Sequence, residues 1–257
     1  MKLIDSHAHV TFPELHGRLD EVWRSCDEAD VERVITIGTD LADAEAALAV
    51  AARYPDRVRA AVGFHPHGAE KVSDADLEVM AGLWSRDDVV AAGEMGLDFH
   101  YDFADQAVQH RVFRAQLELA KPTDLPIVIH ARESVPDTVK VLQDMGYRDR
   151  RVVFHCFTGT AEEAAVIAAN GWRISFTGIV TFKGSVWLQA IAKDYPSEHL
   201  MVETDAPYLS PVPVRGKRPC EPAYVAHTAA FLAALRGVDV SELAETTYQN
   251  TVAFFDL

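Results

Sequence analysis

Two histidines near the start of the chain, His7 and His9, have the side-chain type and spacing of a metal-binding pair. Side chains alternate along a β-strand, so residues two apart point to the same face. Two neutral imidazoles on one face can bind a divalent metal ion. Such a pair also occurs by chance on protein surfaces, so a metal site requires further ligands.

Four further candidate ligands stand at the ends of apolar runs. Glu94 ends residues 89–94, His130 ends 126–130, His155 ends 151–155, and Asp205 directly follows 199–204. If these runs are parallel strands of one barrel, their carboxyl ends meet at one rim, where catalytic residues collect. Any single one of them can be a structural residue, but their recurrence predicts a metal site.

Four histidines and two carboxylates exceed the ligand set of one tetrahedral ion and suit two divalent ions that share a carboxylate. We expect Glu94, on a central strand, to bridge the two ions. Asp205 is then a ligand of the first ion and is placed to accept the proton of an attacking water. Imidazoles favour Zn²⁺ or Mn²⁺, whereas carboxylate and phosphate oxygens favour Mg²⁺.

The elements that position these residues alternate along the chain, since β-branched runs are separated by helical patterns. Asp40 has the features of a helix cap, and Thr160 with Glu163 forms a capping box. Eight runs have the composition of strands: residues 2–9, 33–38, 58–64, 89–94, 126–130, 151–155, 172–177 and 199–204. An α/β fold of the (β/α)8 TIM barrel type in one domain, residues 1–257, is expected. An open doubly wound sheet is the second choice.

Composition limits the class of protein. The 257 residues are 49% hydrophobic and carry a formal net charge of -15, which disfavours a broad surface that coats DNA without specificity. Bound cations and a local basic patch can still reverse the sign of the potential inside a cleft. Short, charge-interrupted apolar runs predict no membrane span, and the N-terminus does not resemble a signal peptide. Three cysteines without a CxxC pattern indicate reduced thiols and a cytoplasmic protein, a monomer by default with no obligate protein partner.

Two residues near the predicted strand ends are candidates for substrate contact. His65 follows the third strand with the parity of a residue that faces the barrel mouth. Arg132 lies two residues after His130 and is able to hold a phosphate by paired hydrogen bonds. A salt bridge from Arg132 to Glu133 or to another carboxylate at the rim is the alternative.

Positive charge is concentrated after the eighth strand, at Arg215, Lys217 and Arg218. Barrels often bind phosphate at this position, although a short charge run is more commonly a solvated loop. Glu203 has the parity of Asp205 and is expected to orient a ligand from behind or to assist proton transfer. An ion-pair role for Glu203 is equally open.

The chain resembles the TatD family of metal-dependent deoxyribonucleases, within the amidohydrolase-like barrels, over nearly its whole length. The matching segments are 4–9 (IDSHAH), 63–67 (GFHPH), 93–98 (GEMGLD), 130–132 (HAR), 155–159 (HCFTG), 175–183 (SFTGIVTFK), 203–209 (ETDAPYL) and 215–218 (RGKR). The resemblance implies a (β/α)8 barrel in which His7, His9, Glu94 and Asp205 hold one metal ion. It implies a second ion held by Glu94, His130 and His155. The implied activity is phosphodiester hydrolysis, commonly as a 3′-5′ exonuclease on single-stranded DNA or RNA and often with Mg²⁺.

Three loop positions depart from the family pattern and affect the expected substrate preference. Tyr101 stands where an arginine is usual, Val214 where His or Tyr is usual, and Pro219-Cys220 where a single Asn is common. Hydrolysis of a small ester, lactone or amide, or removal of a D-amino acid from tRNA, is the alternative reaction. A metal-binding protein without catalysis is a further alternative, which the complete ligand set disfavours.

Overall fold

A computed structural model of the chain describes residues 2–257. Eight parallel strands form one sheet in sequence order, β1 to β8. They are β1 (Leu3–Ala8), β2 (Val31–Gly38), β3 (Val58–Val62), β4 (Val89–Asp98), β5 (Ile127–Arg132), β6 (Val152–Phe154), β7 (Arg173–Phe176) and β8 (Leu200–Val202). The amide of Asp205 donates to the carbonyl of His7 over 2.9 Å, and that of His9 donates to the carbonyl of Ala206 over 2.7 Å. These bonds bring the last strand against the first and nearly close the barrel, which confirms the predicted fold over the open sheet.

Helices connect the strands on the outside of the barrel. They are α1 (Pro13–His16), α2 (Leu19–Glu28), α3 (Leu41–Arg53), α4 (Asp74–Leu83), α5 (Gln106–Ala120), α6 (Val135–Asp144), α7 (Ala161–Ala169), α8 (Val186–Asp194), α9 (Val225–Arg236) and α10 (Val240–Phe255). Short 3-10 turns cover Pro66–Lys71, Gly178–Thr181, Ser197–His199 and Pro222–Tyr224. The predicted caps are confirmed: Asp40 accepts from the amide of Asp43, and Thr160 and Glu163 form a capping box. No helix among residues 2–257 is long and apolar enough to cross a membrane.

The strands divide the core into two layers by the alternation of their side chains. An inner cluster that includes Ile35, Ile37, Val128, Val153 and Met201 fills the barrel. The opposite faces of the strands pack beneath the helices in a second, larger cluster. Every second side chain of a strand faces the inside of the barrel. Polar residues that lie two positions after an inner-cluster residue, toward the carboxyl end of the strand, therefore face the barrel mouth.

The fourth strand is longer than the sequence predicts. It passes through Glu94 and continues to Asp98, because its last four residues pair with β5 in the register Gly96 with His130 and Asp98 with Arg132. Gly96 has φ +146°, and a Cβ at this position would clash with the carbonyl oxygen of His130. Glycine therefore allows the two backbones to pair beyond Glu94, and Glu94 lies within the strand rather than at its end.

Candidate metal centre

A cavity of about 870 Å³ opens at the carboxyl ends of the strands. Its polar lining includes His9, His65, Glu94, His130, Arg132, His155 and Asp205. His130 and His155 lie two residues beyond the inner-core residues Val128 and Val153, so the inward parity of β5 and β6 places both imidazoles in the mouth. The structure thus brings the six predicted ligands to one place: five of them line the cavity, and His7 is buried beside Glu94.

Glu94 lies at the centre of this cluster and presents each carboxylate oxygen to a different pair of imidazoles. Its Oε1 is 2.8 Å from Nδ1 of His130 and 2.7 Å from Nε2 of His155. Its Oε2 is 3.4 Å from Nε2 of His7 and 4.0 Å from Nε2 of His9. In this arrangement each oxygen of one carboxylate can act as a metal ligand together with its own pair of imidazoles.

Asp205 completes the His7–His9 side of the cluster. Its Oδ1 is 3.3 Å from Nε2 of His9 and 3.8 Å from Nε2 of His7. The residue has φ +58°, in the left-handed region, which Asp and Asn tolerate better than most side chains. This turn directs the carboxylate into the mouth directly after the backbone bond to β1.

Several buried ring nitrogens of the cluster lack a hydrogen-bond partner among residues 2–257. They are both nitrogens of His7, Nδ1 of His9 and Nδ1 of His155. Buried polar atoms without partners are unfavourable unless a ligand satisfies them. Within the same residues, no Lys or Arg nitrogen lies within 4.0 Å of the carboxylates of Glu94 or Asp205. Orphaned imidazole nitrogens beside carboxylates that have no Lys or Arg partner among residues 2–257 fit divalent cations, and the triads His7–His9–Glu94 and Glu94–His130–His155 each have the spacing to hold one.

Burial and charge act in opposite directions on the ionisable groups of the cluster. Burial alone would raise the pKa of Glu94, but neighbouring His155 and His65 outweigh it and hold that pKa well below its usual range. Burial likewise disfavours protonation of His155, but Glu94 and Glu203 outweigh it and raise the pKa of His155 well above its ordinary value. In His65 burial prevails and lowers the pKa to about 4, so this ring is neutral at pH 7.

Glu203 lies behind His155 and, unlike Asp205, does not line the cavity. Its Oε1 is 3.4 Å from Nδ1 of His155 and accepts the amide N–H of Cys156 over 2.6 Å. Its Oε2 accepts the hydroxyl of Ser175 over 2.5 Å. Glu203 is therefore held by two hydrogen bonds where it can orient the imidazole of His155. Cys156, the residue after His155, lines the cavity.

Asp98 is a buried site residue that the sequence analysis did not single out. Its Oδ2 is 2.9 Å from Nε2 of both His130 and His67, and its Oδ1 accepts the amide N–H groups of His100 and Tyr101. His130 thus stands between two carboxylates, with Nδ1 toward Glu94 and Nε2 toward Asp98. Asp98 is also a carboxylate at the end of a strand, as were the residues selected from the sequence. It was overlooked because the sequence analysis ended the fourth strand at Glu94.

His65 points into the cavity beside Glu94. Its Nδ1 accepts the amide N–H of His67 over 3.1 Å, so the neutral ring carries its proton on Nε2. That nitrogen lies 3.4 Å from Oε1 of Glu94. His65 thus places a neutral N–H group at the cavity wall, 3.2 Å from Nδ1 of His130.

The predicted cationic residues separate into two groups. Arg132 lines the cavity, and its guanidinium lies 4.8 Å from the centroid of the Tyr101 ring. The alternative partner, Glu133, instead contacts Nδ1 of His100 at 2.6 Å. Arg215, Lys217 and Arg218 are exposed and do not line the cavity; the guanidinium of Arg215 lies 4.0 Å from the centroid of Phe182.

Comparison with known proteins places this site in a family. The profile of the family described as "TatD related DNase" matches residues 4–256. The chain is 38% identical to the "Uncharacterized metal-dependent hydrolase YabD" of Bacillus subtilis (strain 168), over 98% of both chains. It is 33% identical to the "3'-5' ssDNA/RNA exonuclease TatD" of Pectobacterium carotovorum, over 99% of this chain and 100% of that one. The crystal structure of YJJV, a TatD homologue from Escherichia coli, superimposes with a TM-score of 0.93 at 30% identity, covering 99% and 98% of the two chains. The chain belongs to the TatD-related DNase family.

Proposed function

We propose that this protein is a divalent-metal-dependent hydrolase that cleaves phosphodiester bonds from the 3′ end of single-stranded DNA or RNA. The observation that carries the proposal is the position of Glu94, whose two carboxylate oxygens face two separate imidazole pairs at the barrel mouth. The full-length similarity to a relative named as a 3′-5′ exonuclease supports phosphodiesters as the substrate class.

The proposed ligand sets share Glu94. One cation would be held by His7, His9, Glu94 and Asp205, and the other by Glu94, His130 and His155, with Mg²⁺, Mn²⁺ or Zn²⁺ as the candidate ions. The protein is proposed to be a monomer built as one domain of residues 1–257. Free thiols at Cys26, Cys156 and Cys220 support a cytoplasmic location.

The proposed chemistry uses residues around the cavity in distinct roles. Two divalent cations, when bound, would lower the pKa of a water molecule and neutralise charge on the phosphate. Asp205 accepts the proton of the attacking water. Burial alone would raise the pKa of Asp205, but the contact with His9 and the other histidines outweighs burial and lowers this pKa, so the carboxylate is ionised at neutral pH. Glu203 holds His155 in orientation.

Substrate contacts are proposed for two parts of the rim. His65 and Arg132 line the cavity and donate to the phosphate. Arg215, Lys217 and Arg218 lie outside the cavity lining, and we propose that they attract the strand beyond the scissile bond.

A metal-by-substrate panel tests the proposed function. We expect chelated protein to be inactive and Mg²⁺, Mn²⁺ or Zn²⁺ to restore cleavage of single-stranded DNA or RNA, with mononucleotides released from the 3′ end. The panel also contains a lactone, an ester, an amide and a D-aminoacyl-tRNA. Turnover of one of these without any diester cleavage would overturn the proposal.

Asp98 is expected to act as a positioning residue for the second cation. By accepting Nε2–H of His130 it leaves Nδ1 of that ring free for a metal ion. We expect Asp98→Ala to weaken binding of one cation by about 10- to 100-fold, as for other partners behind a ligand, and to leave the other site unchanged. Titration calorimetry with Mn²⁺ measures both affinities. The exposed Asp137→Ala serves as control, and two unaltered binding constants in Asp98→Ala would refute the role.

A further inference from the structure

Two aromatic side chains stand exposed at one wall of the cavity. Tyr101 and Phe103, in the loop after β4, are 40% and 61% exposed, and both line the cavity. Single exposed apolar residues need no explanation, but aromatic residues at the wall of a candidate active site are a binding surface. Their rings lie 5.1 Å apart between centroids and are inclined by only 30°. We refer to Tyr101 and Phe103 as the aromatic platform.

The platform is held in place by the same network that holds the candidate metal ligands. Oδ1 of Asp98 accepts the amide N–H of Tyr101, and Gln109 donates to the carbonyl oxygens of Asp98 and Ala104 on either side of the loop tip. His67, which is 2.9 Å from Asp98, packs 4.7 Å from the ring of Phe103. An aromatic surface fixed before binding loses little conformational freedom when a ligand stacks on it.

An arginine side chain without a carboxylate partner among residues 2–257 lies beside the platform. The guanidinium of Arg132 sits over Tyr101, and no carboxylate among residues 2–257 lies within 4.0 Å of it. In a chain with a net charge of -15, a free arginine at the cavity mouth is a local attraction for anions. Arginine donors match phosphate oxygens in geometry as well as charge.

Exposed aromatic rings next to an arginine that can bind phosphate match the two parts of a nucleotide. We propose that Tyr101, Phe103 and Arg132 form a nucleotide subsite, in which the base next to the scissile bond stacks on the platform and its neighbouring phosphate binds Arg132. The inference rests on the proposed function and adds to it a source of affinity that is independent of the metal ligands. The subsite reads a base by its π-face, so it tolerates every base but requires one.

The platform is tested with the double variant Tyr101→Ala/Phe103→Ala. The assay contains the divalent metal ion that gives the highest rate of cleavage. The substrate is a single-stranded DNA that carries either a complete nucleotide or an abasic residue at the last or next-to-last 3′ position. We expect KM for the complete strand to rise about 5- to 150-fold, the equivalent of one base–aromatic stack, with kcat nearly unchanged. The abasic residue at one of these positions should raise the wild-type KM similarly and have no further effect in the variant. Tyr101→Phe/Phe103→Tyr, which keeps both rings, should restore the KM of wild type.

Arg132 is tested by removing the charge from either side of the contact. Arg132→Gln should raise KM for the natural strand, and a neutral methylphosphonate at the contacted phosphate should abolish the difference between variant and wild type. Exposed residues of the outer helices provide matched controls, Arg24→Gln on α2 and Val79→Ala on α4, which should not change KM.

The outcomes separate the subsite from the proposed function. Efficient strand cleavage by the wild type with an unaltered KM in both variants would overturn the subsite alone. An equal rise in KM for complete and abasic strands would overturn base stacking as its cause. Absence of strand cleavage by the wild type would overturn the proposed function and the subsite together.

Discussion

Glu94→Gln should abolish hydrolysis and lower the affinity for both cations at once. Glutamine keeps the volume of the side chain but lacks the charge that faces His130 and His155 on one side and His7 on the other. A bound metal ion contributes several kcal/mol to stabilisation of the transition state, and 1.36 kcal/mol changes a rate tenfold. We therefore expect turnover to fall by about 10³-fold or more. Elemental analysis should find neither cation at stoichiometric occupancy.

The control for this variant is Glu78→Gln, an exposed glutamate on α4, which should retain turnover and metal content. Circular dichroism of Glu94→Gln distinguishes loss of the site from loss of the fold. A folded Glu94→Gln protein that binds two cations with wild-type affinity would show that Glu94 is not shared between them.

Asp205→Asn should lower kcat by about 10² to 10⁴-fold, the range for loss of a general base. Asparagine fits the left-handed backbone at this position as well as aspartate does, so the barrel closure should survive. In the proposed ligand sets Asp205 does not hold the cation of Glu94, His130 and His155, so that cation should bind as in wild type. Measurement of kcat at saturating Mn²⁺, together with metal stoichiometry, separates a chemical role from a purely structural one. Unchanged turnover would remove Asp205 from the chemistry.

Local signals were sufficient to predict the barrel and the main cluster. Short β-branched runs indicated the strands, and the capping residues Asp40 and Thr160 marked the start of two helices. Parity then determines which side of a strand a residue occupies, and this is why His130 and His155 could be assigned to the mouth before any contact was known. No long-range information is needed for such residues beyond the assumption that the strands are parallel.

Residues whose positions depend on pairing or on loop geometry were not predictable in the same way. Asp98 was missed because β4 extends past Glu94 only where Gly96 lies against the backbone of β5, a contact between distant segments. Cys156 lines the cavity because its backbone leaves the strand with φ +46°, which ends the parity that β6 would otherwise impose. Charge alone likewise did not reveal that Arg132 lines the cavity and Arg215 does not.

The central claim is that one phosphodiesterase site uses two cations shared by Glu94. Titrating metal-free protein with Mn²⁺ while following 3′-end cleavage of the single-stranded DNA from the substrate panel tests it most directly. We predict no cleavage without metal, and activity that reaches its maximum when two ions are bound per chain. Full cleavage by the chelated protein, maximal activity with one ion bound, or no cleavage with both sites filled would contradict it.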